Sequence, residues 1–150
     1  MEQKFMKEAL KEAQKAYDKL EIPVGAVIVK NGKIISRAHN LKETKQTATA
    51  HAEILAIQKA NRKLNNWRLV DCDIYITLEP CDMCMGAILS SRIKNIYIST
   101  LDPKKKEKID INKYKEEYDT NIEYGIMQEK SEEILKNFFK DLRKSGGIKW

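Results

Sequence analysis

The chain has 150 residues, 17.4 kDa, with 42% apolar and 33% charged side chains, enough for one domain that buries around two-thirds of its unfolded surface. Its longest unbroken apolar run, Ile22 to Val29, falls far short of the about 20 residues a membrane span needs, so a transmembrane protein is excluded. The formal net charge is +6, but lysine outnumbers arginine 23 to 5, so the excess fits a solvated lysine-rich surface as well as a polyanionic partner such as nucleic acid.

The first residues hold no apolar core or small-residue cleavage site, so no secretory signal is expected and the cytoplasm is the default compartment. Phe5, Met6, Ala9, Leu10, Ala13, Ala16, Tyr17 and Leu20 recur at helical spacing and predict an amphipathic helix. Its polar face mixes Lys and Glu, which suits core cover better than membrane binding. Val24 to Val29 reads as a buried strand, Asn31-Gly32 as a two-residue hairpin turn, and Lys33 to Ala38 as the returning strand. A helix over Thr49 to Lys63, a strand over Asp73 to Thr77, a helix over Cys81 to Ser90 and a strand over Asn95 to Ser99 follow. Lys104 to Tyr118 shows no clear period, and Ile122 to Gly125 reads as a short fifth strand. Ser131 is the expected N-cap of a last helix whose apolar face is Ile134, Leu135, Phe138, Phe139 and Leu142. No repeat or linker divides the chain, so a single domain over residues 1–150 is expected, a layered α/β fold with parallel pairing after an opening antiparallel hairpin.

Two clusters carry chemistry, and both lie at strand-to-helix connections, where α/β folds gather their sites. One is His51-Ala52-Glu53, the other Pro80-Cys81-Asp82-Met83-Cys84. Cysteines three apart on a helix start can aim two sulfurs at one point, and the helix dipole favours the thiolate that a metal requires. Two thiolates and an imidazole make three ligands of a tetrahedral zinc and leave one position for water, which is the pattern of a catalytic site. Glu53, two residues from His51, is the expected proton carrier beside the ion. His-x-Glu followed by Pro-Cys-x-x-Cys is the signature of zinc nucleobase deaminases. Weighed against it are a four-ligand structural zinc completed by Cys72 or His39 and a redox Cys pair, which explains neither His51 nor Glu53. Cys72 otherwise reads as a small core residue, and His39 as a structural or pocket-edge histidine.

Through these residues the sequence resembles the cytidine deaminase-like superfamily and, within it, the bacterial tRNA-specific adenosine deaminases. The resemblance runs from Ile22-Pro23-Val24-Gly25-Ala26-Val27 through His39-Asn40, the two zinc clusters and Asn66-Trp67-Arg68-Leu69 to Gly86-Ala87-Ile88. It implies a three-layer α/β/α fold with a mixed five-stranded sheet, a homodimer, one zinc ion per chain, and hydrolysis of the wobble adenosine of a tRNA anticodon to inosine. It also implies that His51, Cys81 and Cys84 hold the zinc while Glu53 carries protons from the activated water to the base and its leaving amine. By the same resemblance Asn40 hydrogen-bonds the flipped base, Asp102 and Lys104 contact the nucleotide backbone and sugar, and Phe139 lies near the anticodon loop, although its place in an apolar face equally suits core.

The family pattern breaks after Asp102. A Gly/Ala/Ser-rich segment is replaced by Lys104-Lys105-Lys106-Glu107-Lys108, and no glycine occurs between Gly86 and Gly125. Thr47-Ala48 stands where the family has Asp-Pro. The anticodon stem-loop is therefore the expected partner, with a free nucleobase or nucleoside (guanine, cytosine or an adenine derivative) as the rival substrate, and a non-catalytic zinc-stabilised binding protein as the rival class.

Overall fold

The computed structural model describes residues 2–146, and of the single domain expected over 1–150 residue 1 and residues 147–150 lie outside the described residues. In chain order the elements are α1 (Glu2–Asp18), β1 (Gly25–Lys30), β2 (Lys33–His39), α2 (Lys42–Lys45), α3 (Ala52–Leu64), β3 (Cys72–Leu78), α4 (Asp82–Ser90), β4 (Asn95–Thr100), α5 (Ile111–Tyr118), β5 (Asn121–Tyr124) and α6 (Gln128–Lys144). The strands form one mixed sheet in the order β2-β1-β3-β4-β5. β1 pairs antiparallel with both β2 and β3, while β3, β4 and β5 run parallel.

Alternation along the strands sorts the core onto two faces. Ala26, Ile28, Ile74, Ile76, Ile96 and Ile98 point into the larger core, shared with Ala52, Ala56, Ile57 and Ala60 of α3 and Met85 and Ile88 of α4. Val27, Val29 and Tyr75 point the other way, against Phe5, Met6 and Ala9 of α1. Because both faces are covered, the strands read as continuous apolar runs, as a three-layer α/β/α domain requires.

Local chemistry sets the joints. Asn31 and Gly32 take φ of 51° and 75°, the left-handed pair of a tight hairpin, a conformation asparagine and glycine tolerate best. At Gly25 a Cβ would fall 2.0 Å from the Ala9 carbonyl oxygen and 2.6 Å from the Ala13 nitrogen, so only glycine lets α1 cross β1 this closely. Asn95 donates to Asp73 at 2.8 Å and Asn121 donates to Asn95 at 3.0 Å, tying the parallel strands in register at their N-terminal ends.

Three expectations are corrected, and one unassigned stretch gains a helix. Ser131 is not the N-cap of the last helix; α6 begins at Gln128 after Met127, and Ser131 is fully buried with its hydroxyl bonded to that of Ser99 at 2.6 Å. Leu20 leaves the apolar face of the first helix, because α1 ends at Asp18 and Leu20 turns out into solvent at φ 61°. The stretch without a clear period contains α5, capped by Asp110, whose side chain accepts the Lys113 amide at 3.1 Å. The helix over Thr49 to Lys63 begins only at Ala52, and α2 lies ahead of it.

Candidate active site

The C-terminal ends of β2, β3 and β4 lie together at one end of the sheet, and the turns that leave them carry the chemistry-bearing residues. His51 is the N-cap of α3 and Cys81 the N-cap of α4, both in extended backbone and neither with its side chain spent on a cap bond. Both side chains are thus free to turn toward each other. The His51 Nδ1 lies 3.8 Å from the Cys81 sulfur and 3.5 Å from the Cys84 sulfur, and the three ligand atoms fall within 4.8 Å of one another.

These spacings suit a metal ion. Tetrahedral zinc, with its usual bond lengths to nitrogen and sulfur, places such atoms about 3.6 Å apart. Burial, assisted by the charge of Lys42, pushes the His51 pKa down, so the imidazole is neutral, the form that ligates. Burial and the neighbouring Glu53 push the Cys84 thiol well up, so a thiolate there needs a cation opposite it. Cys72 and His39 do not join the group. The Cys72 sulfur is buried against the Val70 carbonyl oxygen, its pKa raised by burial, and the His39 ring is held at 2.9 Å by Glu12 on one nitrogen and by Lys19 on the other. Among the described residues the constellation has three ligands, which leaves one tetrahedral position for water.

Glu53 sits in the first turn of α3, 4% exposed. Burial raises its pKa, while its own backbone N–H and the Cys84 thiol pull the other way. It is therefore beside the ligand set without belonging to it. Asn40 follows β2 directly and is 8% exposed; its Oδ1 is buried with no partner, and its amide nitrogen reaches the Ile22 carbonyl oxygen only at 3.5 Å. A buried acceptor without a donor costs about 1–3 kcal/mol, a cost that a bound ligand would remove.

Asp102, Lys104 and Phe139 come together around a separate apolar cavity of about 420 Å³ between the ends of β3 and β4 and the helix α6. The Lys104 ammonium lies over the Phe139 ring at 5.3 Å, and Phe138, not Phe139, is the buried core residue of that helix. Neither the metal ligands nor Glu53 lines this cavity, although Ile22, which touches Asn40, does.

Two buried carboxylates near these residues were missed by the sequence reading. Glu21, fully buried, accepts the backbone amides of Glu43 and Thr44 at 3.0 and 2.6 Å and so anchors the loop that leads to His51. Glu79, adjoining Pro80-Cys81, accepts the Asp102 amide at 2.9 Å and pairs with Lys105 at 3.2 Å. A charge placed at the end of an apolar strand is the signal that could have marked Glu79.

Comparison with known proteins places the chain among deaminases. The MafB19-like deaminase family matches residues 1–143. The chain is 45% identical over 144 residues to the tRNA-specific adenosine deaminase of Bacillus subtilis, covering 93% of this chain and 89% of that one. To the tRNA-specific adenosine deaminase of Aquifex aeolicus it is 47% identical over 143 residues, covering 93% and 94%. A solved structure from a study of A-to-I editing by tRNA:A34 deaminases at the wobble position of transfer RNA superposes with a TM-score of 0.80 at 37% identity, covering 88% of this chain and 99% of that one.

Proposed function

Since the chain belongs to the MafB19-like deaminase family, a hydrolytic deaminase of cytidine deaminase-like fold, we propose that it converts the wobble adenosine of a tRNA anticodon to inosine with one zinc ion per chain. The observation that carries this reading is the convergence of His51, Cys81 and Cys84, with the buried Glu53 carboxyl against Cys84. His51, Cys81 and Cys84 would hold the ion; zinc, when bound, is a Lewis acid that makes water acidic enough to attack near neutral pH. In the net reaction water adds its oxygen to C6 of the purine and ammonia leaves. Glu53 would take one proton from the attacking water and give it to the ring nitrogen next to C6, then take the remaining proton of the added hydroxyl and give it to the departing amine, which leaves as ammonia. Asn40 hydrogen-bonds the flipped base, its otherwise unpartnered Oδ1 accepting from a base N–H. Asp102, Lys104 and Phe139 take neighbouring nucleotides at their cavity, where a ring and an ammonium offer stacking and charge.

The same reading places the enzyme in the cytoplasm, where its substrate is found, and none of the described helices is long and apolar enough to cross a membrane. It also makes the enzyme a homodimer. Met83, Gly86 and Ser90 are exposed on α4, with Met83 a large apolar side chain that a second copy would cover, and sedimentation should show a species of twice 17.4 kDa. Mass spectrometry after incubation with an anticodon stem-loop, and separately with free bases and nucleosides, tests the substrate. Inosine at the wobble position is expected; deamination of a free base or nucleoside alone would contradict it.

A further inference from the structure

The lysine-rich segment after Asp102 is tied to the turn that carries Cys81. Glu79 is 6% exposed, and both of its oxygens are engaged by that segment. Oε1 accepts the Asp102 amide at 2.9 Å, and Oε2 pairs with the Lys105 ammonium at 3.2 Å. The same ammonium donates to the Pro80 carbonyl oxygen at 3.1 Å, one residue before Cys81. No other cation lies within 4.0 Å of Glu79 among the described residues. Around Asp102 the chain closes on itself: the Asp102 side chain accepts the Lys104 amide at 2.9 Å, and its carbonyl oxygen accepts the Lys105 amide at 3.1 Å. The fold of this turn aims Lys104 over Phe139 in one direction and Lys105 at Glu79 in the other.

We propose that Lys105 is a positioning residue for RNA binding: through Glu79 and Pro80 it latches the 102–105 turn and thereby presents Asp102 and Lys104 to the nucleotides beside the target base. The proposal rests on the tRNA reading given above. Physically, removing the partly exposed Lys105 ammonium leaves the buried Glu79 carboxylate without its cation, so the turn loses an anchor while His51, Cys81, Cys84 and Glu53 keep theirs. Lys105 touches neither cavity nor metal ligands and acts only through the turn it holds.

The test uses the zinc-loaded full chain as wild type, Lys105→Met and Lys105→Arg. Steady-state kinetics on the anticodon stem-loop, zinc content and amide hydrogen exchange are read for each. For Lys105→Met, KM should rise about tenfold with kcat within about twofold of wild type, the sign of lost binding made equally in ground and transition states. Zinc content should be unchanged, the Asp102 amide should exchange faster, and Lys105→Arg should restore both KM and exchange. Unchanged KM, or a fall of kcat together with zinc content, would overturn the proposal. Should the wild type form no inosine in RNA, the tRNA reading fails by itself. The latch is then decided by exchange alone: acceleration in Lys105→Met upholds it and an unchanged rate overturns it.

Discussion

The turns bearing His51 and Cys81 and the turn from Asp102 to Lys105 lie at the same end of the sheet, yet they are held by different means. The first two are helix N-caps set by the helix that follows each, Cys81 just after β3 and His51 at the end of a loop whose backbone amides Glu21 holds. The third hangs on side chains distant in sequence, Glu79 to Lys105 and Lys104 to Phe139. On the proposed function, chemistry is placed where backbone geometry dictates position, and substrate reading where a few long side chains do. A small number of substitutions would then alter which nucleic acid is bound while the hydrolytic centre stays as it is.

That contrast can be broken or sharpened, beginning with the largest effect. Cys84→Ala removes a buried ligand, and metal content and deaminase activity should both fall below detection, as inductively coupled plasma mass spectrometry and product analysis would show. Metal retained at wild-type level in this variant would break the assignment of the ligand set. Asn40→Ala should lower kcat/KM roughly 10- to 100-fold, equivalent to about 1.4–2.7 kcal/mol, by removing a hydrogen bond to the base. Its melting temperature should hold or rise, since the Oδ1 that is lost had no partner in the fold. Lys104→Ala should weaken RNA binding only a few-fold, in line with an exposed cation–aromatic contact of about 0.5–1 kcal/mol, and should leave zinc content unchanged.

The smallest effect concerns pH and lies outside both regions. Burial raises the Glu12 carboxyl, but hydrogen bonds from His39 and Lys15 outweigh it and bring the pKa down to about 2 from the usual 4.5. A depressed carboxyl stabilises the fold fully above pH 4.5, and this contribution drains away as pH falls from 4.5 toward 2. Acid titrations should therefore show wild type losing more stability than Glu12→Gln across that window.

The same contrast explains what could be read from the chain in advance. Strands β1, β3 and β4 were legible because burial on both faces demands apolar runs, and the half-exposed edge strand β2 because Asn31-Gly32 marks a hairpin with two positive φ angles ahead of it. The metal set was legible because a ligand pair three residues apart on one turn is itself a local pattern. Lys105 was not. Its meaning depends on Glu79, 26 positions earlier, and a lysine in a lysine-rich segment carries no mark of having a partner. Ser131 misled for a related reason: a serine ahead of an apolar face looks like a cap, and only the approach of Ser99 shows that its hydroxyl faces inward. In α5, Ile111 and Tyr114 do lie one turn apart against the core, but the charged residues around them hide so short a period.

The most direct test of the account is Glu53→Gln, assayed for zinc per chain and for inosine in an anticodon stem-loop. On the proposed function Glu53 carries protons and leaves the ion to His51, Cys81 and Cys84, so the predicted result is retention of one zinc per chain with kcat lowered about 10²- to 10⁴-fold. Loss of zinc together with activity, or inosine formed at the wild-type rate, would contradict it.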